Sequence, residues 1–326
     1  MIGLERIERQ YVAGGCAPVI VRHAAEPRRL SRPTVGLVTY EAFPDLTDDD
    51  RPLIAELARA GCDAQPVLWH DKRVRWADYQ ALLLRSCWDY HQRLDEFTKW
   101  LQHIEHAGVR LWNPYVVVRW NLHKRYLRQL AARGIAIPQT VWVNRSNSLP
   151  SSDQLSAILE KSGWREAIVK PAVSASAMET WRTTGDAASD DARMVELARR
   201  GDLLVQEIVP EVTSDGEWSL VFIDGRFSHA AIKRPAPGDF RVQWEHGGSS
   251  ERARPSKDVV ATGETIAREI PPGWVYARID GVVTGRGFVL MEVECIEPDL
   301  FFDYNPDSRR RLASALARLI GQVTPR

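Results

Sequence analysis

Apolar blocks and period-3.6 faces alternate through the first third of the chain. From Thr34, the run TVGLVTY ending at Tyr40 reads as a buried strand. Arg51 to Ala60 puts Leu53, Ile54 and Leu57 on one helical face, with Asp48 to Asp50 near its start and Gly61 as a stop. Ala64 to Trp69 and Gln80 to Ser86 read as further strands, and Leu94 to Ala107 as a helix. Strands alternating with helices predict an open, largely parallel α/β sheet.

Farther along, the pattern predicts a helix over Asn121 to Arg133, capped by Asn121 and stopped by Gly134. A strand over Ile135 to Val143, a helix over Ser152 to Ser162, and a strand over Glu166 to Lys170 follow. A helix near Asp190 to Arg200 then leads into a strand over Asp202 to Val209. Asp224-Gly225 turns a hairpin made of Glu217 to Ile223 and Arg226 to Lys233. Arg241, Gln243 and Glu245 would share one strand face, and Ser256 to Ile270 and Pro306 to Ile320 read as helices. Residues 1–33, rich in Gly, Pro and Arg, read as a loosely attached extension.

Trp274 to Glu297 carries the densest chemistry. Two strands around the turn Thr284 to Gly287 would place Arg278 and Asp280 on one face, and Val275, Ala277 and Ile279 on the other. Glu292 and Glu294 project together, with Val289, Met291, Val293 and Cys295 opposite. Antiparallel pairing would crowd three carboxylates and a guanidinium together. Such hard oxygen donors suit magnesium carried in with a nucleotide's phosphates, whereas a solvated face explains any single acidic pair equally well.

Composition narrows the classes. The 326 residues hold 43 Lys plus Arg and 43 Asp plus Glu, so no net field draws nucleic acid or an anionic membrane. The apolar runs are too short to span a bilayer, and no apolar signal core follows Met1. Cys16, Cys62, Cys87 and Cys295 are scattered without metal spacing, which favours a reduced, cytoplasmic enzyme. In open α/β sheets ligands gather at strand carboxyl ends, which makes Arg85 to His91 a candidate loop. Arg85 would clamp an anion and Asp89 an ammonium, or the two would pin the loop as an ion pair. Lys124 sits where a helix begins, a place that suggests an anion nearby. Lys170 ends a strand before the small-residue loop PAVSASA, in which Ser174 and Ser176 offer hydroxyl donors to an anion, although a structural turn explains the loop as well. Gln206 and Glu207 interrupt an apolar strand and need partners, of which a nucleobase edge is one.

Taken in order, Lys124, Lys170 with its loop, Gln206-Glu207, Glu217, Lys233, Arg278-Ile-Asp280 and Glu292-Val-Glu294 resemble the ATP-grasp ligases from about residue 34 onward. Lys233 to Gly248 is similar to the branch of glutathione synthetases and ribosomal-protein glutamate ligases. The segments RSCWDYH, WNP, RWN, VKPAVS and EVECIEP resemble the O-ureido-D-serine cyclo-ligases. The resemblance implies an α/β fold with an N-terminal open domain over residues 34–120 and two α+β lobes, 121–205 and 206–326, clamping ATP. It implies that Lys124, Lys170, Ser174 and Ser176 meet the phosphates, Gln206, Glu207, Ile208 and Val209 the adenine, and Asp215 or Glu217 the ribose. Asp280, Glu292 and Glu294 would hold one or two Mg²⁺ ions, or Mn²⁺. Lys233, Arg241 and Arg278 would act on the transferring phosphoryl group and the substrate carboxylate. Arg85, Ser86, Asp89, Tyr90, Gly247 and Gly248 would face the substrate. The implied activity is C–N bond formation on a small amino-acid-like carboxylate through an acyl phosphate, within one molecule or between two. A nucleotide-binding protein without turnover is the alternative from another class, and a homodimer is compatible with either. The chain departs from the family in having no glycine in the phosphate loop, and Glu294 where Asn is common.

Overall fold

In the computed structural model, which describes residues 32–145, 154–185 and 188–321, the first four strands form a wholly parallel sheet. β1 (Thr34–Thr39), β2 (Asp63–Leu68), β3 (Ala81–Ser86) and β4 (Arg110–Trp112) lie in the order β2-β1-β3-β4. β3 is buried along its length because both faces are covered. The helix Leu94–His106 covers one face through Phe97, Trp100, Leu101 and Ile104, spaced i, i+3, i+4 and i+7. The helices Leu53–Arg59 and Asp307–Gly321 cover the other, so the end of the chain packs on its first sheet.

A second, antiparallel sheet runs β5-β8-β6-β7, from β5 (Thr140–Val143), β6 (Ala167–Pro171), β7 (Trp181–Thr183) and β8 (Leu203–Glu207). Leu155 and Leu159 of Gln154–Ser162 and Met194 and Leu197 of Ala188–Arg200 close its core. The third sheet is also antiparallel, in the order β11-β10-β9-β12-β13. Its strands are β9 (Glu217–Ile223), β10 (Arg226–Arg234), β11 (Ser249–Ala253), β12 (Tyr276–Thr284) and β13 (Gly287–Glu294). The helix Lys257–Arg268 backs it, opened by Ser256, whose Oγ accepts from Val259 N at 3.3 Å.

Four sequence expectations need correction. Asn121 does not cap a helix but ends Tyr115–Asn121, and the next helix is Arg125–Ala132. Its amide is taken elsewhere, donating to Val293 O and accepting from Cys295 N, both at 2.7 Å. The strand expected from Ile135 begins only at Thr140, because Pro138 has no N–H for a ladder. Arg241, Gln243 and Glu245 lie on no strand, since the Asp239 carboxylate takes the N–H groups of Phe240 and Arg241 and Trp244–His246 coils into a 3₁₀ turn. In β13 a bulge pairs Asp280 with Glu292 but Gly281 with Leu290, leaving Met291 as the extra residue. Phe288 and Leu290 therefore share the core with Val293 and Cys295, while Met291 turns to the other side. The extension expected over residues 1–33 and the helix start at Ser152 fall largely or wholly on residues 1–31 and 146–153, outside the described ones.

Candidate active site

A cavity of about 580 Å³, within the range usual for small-molecule sites, is lined from the second and third sheets and from the loop after β3 of the first. The second sheet contributes Lys170, Gln206 and Glu207, the third Glu217, Lys233, Arg278, Asp280, Met291, Glu292 and Glu294, and the loop after β3 Trp88 and Tyr90. The paired register of β12 and β13, Arg278 with Glu294 and Asp280 with Glu292, brings the expected charged cluster to one face.

Asp280 is the hub of that cluster. Its Oδ1 accepts from Ser219 Oγ at 2.7 Å and Arg278 Nε at 3.0 Å, and its Oδ2 from Arg278 Nη2 at 2.9 Å and Lys233 Nζ at 3.0 Å. Burial alone would raise its pKa, but Arg278 and Lys233 overcome that and hold the carboxyl well below the usual carboxylate range. Lys233 also pairs with Glu217 at 2.7 Å, and Arg278 with Glu294. Glu294 behaves differently from Asp280. Burial pushes its carboxyl up to about 7, with Arg278 opposing and the carboxylates of Asp280 and Glu292 adding to the rise.

Lys124 and Lys170 stand across from these groups. Lys124 Nζ is 2.9 Å from Glu292 Oε1 and donates to Ser174 O at 2.9 Å, so it ties the acidic strand to the small-residue loop. Lys170 has no hydrogen bond or ion pair among the described residues. Burial lowers its pKa to about 8, partly countered by Glu292 and reinforced by Lys124. The loop arches over with Ser176, Ala177 and Glu179 at φ of 50°, 51° and 56°, left-handed conformations that glycine would adopt without strain. Ser176 Oγ donates to Glu245 Oε1 at 2.7 Å, which links this loop to the segment after β10.

Several expected site residues stand elsewhere. Arg85 is 1% exposed, with Nε 2.8 Å from Asp50 Oδ1, and Ser86 Oγ donates to the other Asp50 oxygen at 3.0 Å. Both belong to the core rather than the cavity wall, and the partner of Arg85 is Asp50 instead of Asp89. Asp89 accepts from Trp69 Nε1 at 2.8 Å and does not line the cavity. Gln206 donates to Thr140 Oγ1 at 2.9 Å, and Glu207 accepts from Gln139 N at 3.0 Å and Arg286 at 2.7 Å, so protein groups take the place expected for a nucleobase edge. Ile208 and Val209 do line the cavity, but Asp215 does not. Arg241 lines it while paired with Asp239 at 2.7 Å. Gly248 also lines it, yet a Cβ there would meet Val242 O at 2.2 Å, so its smallness serves the turn itself. Gly247, at φ 78° and outside the wall, serves the same turn.

The segment following β13 was missed as site architecture. From Cys295 to Leu300, six consecutive carbonyls face a side-chain group. Asn113 donates to Cys295 O at 2.7 Å, Trp88 to Glu297 O at 2.9 Å, Arg85 to Pro298 O at 3.0 Å and Arg278 to Asp299 O at 3.0 Å. The Tyr276 hydroxyl lies 2.7 Å from Ile296 O, and His229 Nε2 2.9 Å from Leu300 O. Side chains thus replace a sheet ladder here. Glu297 and Asp299 of this stretch and Phe301 just after it line the cavity, as do Trp88 and Met291. The Glu-Pro step after the acidic strand was the available sign that the chain turns along the site.

The donor set suits a magnesium ion shared with phosphates better than a protein cage. Among the described residues no group of three or more His, Cys, Asp or Glu is placed to hold a metal ion. The oxygens of Asp280 are filled by its cationic and hydroxyl partners. Glu292 and Glu294, with 31% and 28% of their side chains exposed, remain accessible. Two carboxylates plus phosphate oxygens is an ordinary magnesium environment.

Residues 35–113 match the family described as D-cycloserine synthetase DcsG, N-terminal domain. The cycloserine biosynthesis protein DcsG of Streptomyces lavendulae is 31% identical over 301 residues, 87% of this chain and 97% of its own. The crystal structure of D-cycloserine synthetase DcsG superposes with a TM-score of 0.77 at 27% identity, over 88% of this chain and 99% of that one. The ATP complex of the D-alanine–D-alanine ligase from Bacillus anthracis shares the fold, with a TM-score of 0.64 at 16% identity over 89% of this chain and 97% of that one.

Proposed function

Because the chain belongs to the ATP-grasp ligases, the family of its relative DcsG, we propose that its substrate is an O-ureido-serine-type amino acid. In this reading, ligation closes a ring within one molecule and uses Mg²⁺ with the ATP. ATP-dependent carboxylate–amine ligation is the reaction of the family. A carboxylate is a poor electrophile at neutral pH. Its oxygen takes the γ-phosphoryl group and ADP leaves; the nitrogen then attacks the acyl carbon, phosphate leaves, and the nitrogen's proton passes to solvent. Such chemistry asks the protein for positioning and charge neutralisation rather than a covalent nucleophile.

The observation that carries the reading is Lys170. A half-buried cation with no hydrogen bond or ion pair among the described residues, beside Lys124 and a loop of small residues, calls for an anion, and a nucleotide polyphosphate is the anion that this family brings. We assign Lys124, Lys170, Ser174 and Ser176 to the phosphates, Ile208 and Val209 to the adenine with Gln206 and Glu207 held beside them by their protein partners, and Glu217 to the ribose. Lys233, Arg241 and Arg278 serve the phosphoryl group and the substrate carboxylate, with Tyr90 and Gly248 on the substrate wall. Bound Mg²⁺, held by Glu292 and Glu294, would neutralise phosphate charge. Asp280 keeps Arg278 and Lys233 aimed, and would join the metal only by releasing one of them. The three sheets support a division at residues 34–120, 121–205 and 206–326, although β8 straddles the last boundary. Two buried free thiols, Cys87 and Cys295, support a reducing, cytoplasmic setting.

The test is ADP release from Mg-ATP with and without O-ureido-D-serine, with products identified by mass. Stimulated release with a cyclised product supports the proposal. ATP binding without stimulation would refute the substrate and direct the search to other amino acids with a separate amine acceptor.

A further inference from the structure

Glu297 is 8% exposed and lines the cavity, yet its carboxylate has no hydrogen-bond donor and no cation within pairing distance among the described residues. Every other buried acid of the cavity wall is matched: Asp280 by Arg278 and Lys233, and Glu217 by Lys233. Glu292 and Glu294, half-buried, have Lys124 and Arg278. Glu297 adds a carboxylate to a wall that already holds these two, and burial together with Glu294 and Glu292 pushes its pKa well above the usual range. A desolvated carboxylate in such surroundings is costly unless something cationic completes it.

The side chain is also held in place. The carbonyls of Glu297 and of its neighbours on both sides, Ile296 and Pro298, are bound by Trp88, Tyr276 and Arg85, so the segment cannot swing Glu297 out to solvent without breaking those bonds. Trp88, Tyr90 and Phe301 line the same cavity, and aromatic rings tolerate a cation far better than they do an anion.

We propose that Glu297 is the specificity residue for the substrate's free ammonium group, in a subsite walled by Trp88 and Phe301. This rests on the ligase reading above, and it extends that reading to the end of the substrate that does not react. In a ring closure through a ureido nitrogen, the α-amine is carried unchanged into the product. Held as an ammonium against Glu297, it is not nucleophilic, and the carboxylate it flanks is turned toward Arg278 and the lysines. Ammonium and carboxylate thus compensate each other only when an amino acid is bound.

The experiment measures ADP release over a panel of amino acids that includes O-ureido-D-serine, each beside its des-amino counterpart, for the wild type and Glu297→Gln. The expected result is that only ammonium-bearing members are turned over. Glu297→Gln should raise their KM by about thirtyfold, the scale of one charge-assisted hydrogen bond, while KM for ATP stays put and the unfolding midpoint of the free protein does not fall, since an uncompensated carboxylate has been removed. A structural role would lower the midpoint or shift both KM values together. Equal turnover of a des-amino counterpart, or an unchanged KM in the variant, overturns the assignment. If another amino acid works where O-ureido-D-serine fails, the substrate reading falls and the ammonium subsite stands. If no panel member releases ADP, both fall.

Discussion

Arg85 and Lys170 are both strand-end cations of this chain, and their fates are opposite. Arg85 is paired inside the core through Nε and Nη2, with Asp50 and Pro298 O on its guanidinium and the Tyr276 ring 5.3 Å away, while its Nη1 has no hydrogen-bond partner among the described residues. Removing it would leave Asp50 charged with only the Ser86 hydroxyl on its carboxylate, so Arg85→Ala should destabilise the protein by about 3–5 kcal/mol in urea titration. Lys170 is unpaired, and Lys170→Ala should instead weaken nucleotide affinity at little cost in stability, as read by calorimetry with ADP. Its pKa near 8 gives that affinity a pH dependence. Below that pH the ammonium is already charged for the phosphates; above it, binding must take up a proton. Affinity should therefore fall as pH rises through 8, approaching about tenfold per pH unit. Lys170→Arg, charged throughout, should flatten the profile. Glu292→Gln should abolish ADP formation in a protein whose circular dichroism is unchanged; full activity would refute its place at the phosphates. Sequence pattern distinguished these residues poorly. Both cations end apolar strands, and the partner of Arg85 lies 35 residues away on a loop, where no local periodicity points.

At the scale of elements, the ribbon of β12 and β13 was the most legible feature, because strict alternation puts Arg278 with Asp280 and Glu292 with Glu294 whatever the rest of the fold does. The bulge at Met291 was not legible. It falls where the register shifts beside Gly281, at which a Cβ would sit 2.3 Å from the Phe288 ring, a tertiary close approach that leaves no mark on the spacing of apolar residues. The end of β8 was half legible: Gln206 and Glu207 needed partners, but Thr140 and Arg286 supply them. The small-residue loop carries its own prediction. Ala177 holds a left-handed backbone at φ 51°, which costs a residue with a Cβ about 1–2 kcal/mol. Ala177→Gly should therefore stabilise the protein by roughly 0.5–1 kcal/mol in denaturant midpoints, opposite in sign to the usual effect of glycine in regular structure. A loss of stability would show that this conformation is not the resting one.

For the whole molecule, the parallel sheet, the hairpin of β9 and β10 and the closing helix were all readable from period and turn signals. Their assembly was not, because buried asparagines perform it. Asn113 donates to Tyr276 O at 2.8 Å and Cys295 O at 2.7 Å and accepts from Val275 N at 2.6 Å, and Asn121 binds both edges of Val293 to Cys295. In sequence they look like ordinary loop and capping residues. Asn113→Ala would strand several buried backbone groups, and a loss of about 3 kcal/mol or more in equilibrium unfolding is expected.

The run of tethered carbonyls from Cys295 to Leu300 bears on protein engineering. Its donors come from the first sheet and the loop after β3 as well as from the third sheet, Arg85 and Trp88 on one side and Arg278 and His229 on the other. A chimera that exchanges the first 113 residues for those of a relative would carry a foreign set of donors to this strap. Recombination within the family should therefore succeed only when the loop after β3 and the stretch after β13 travel together.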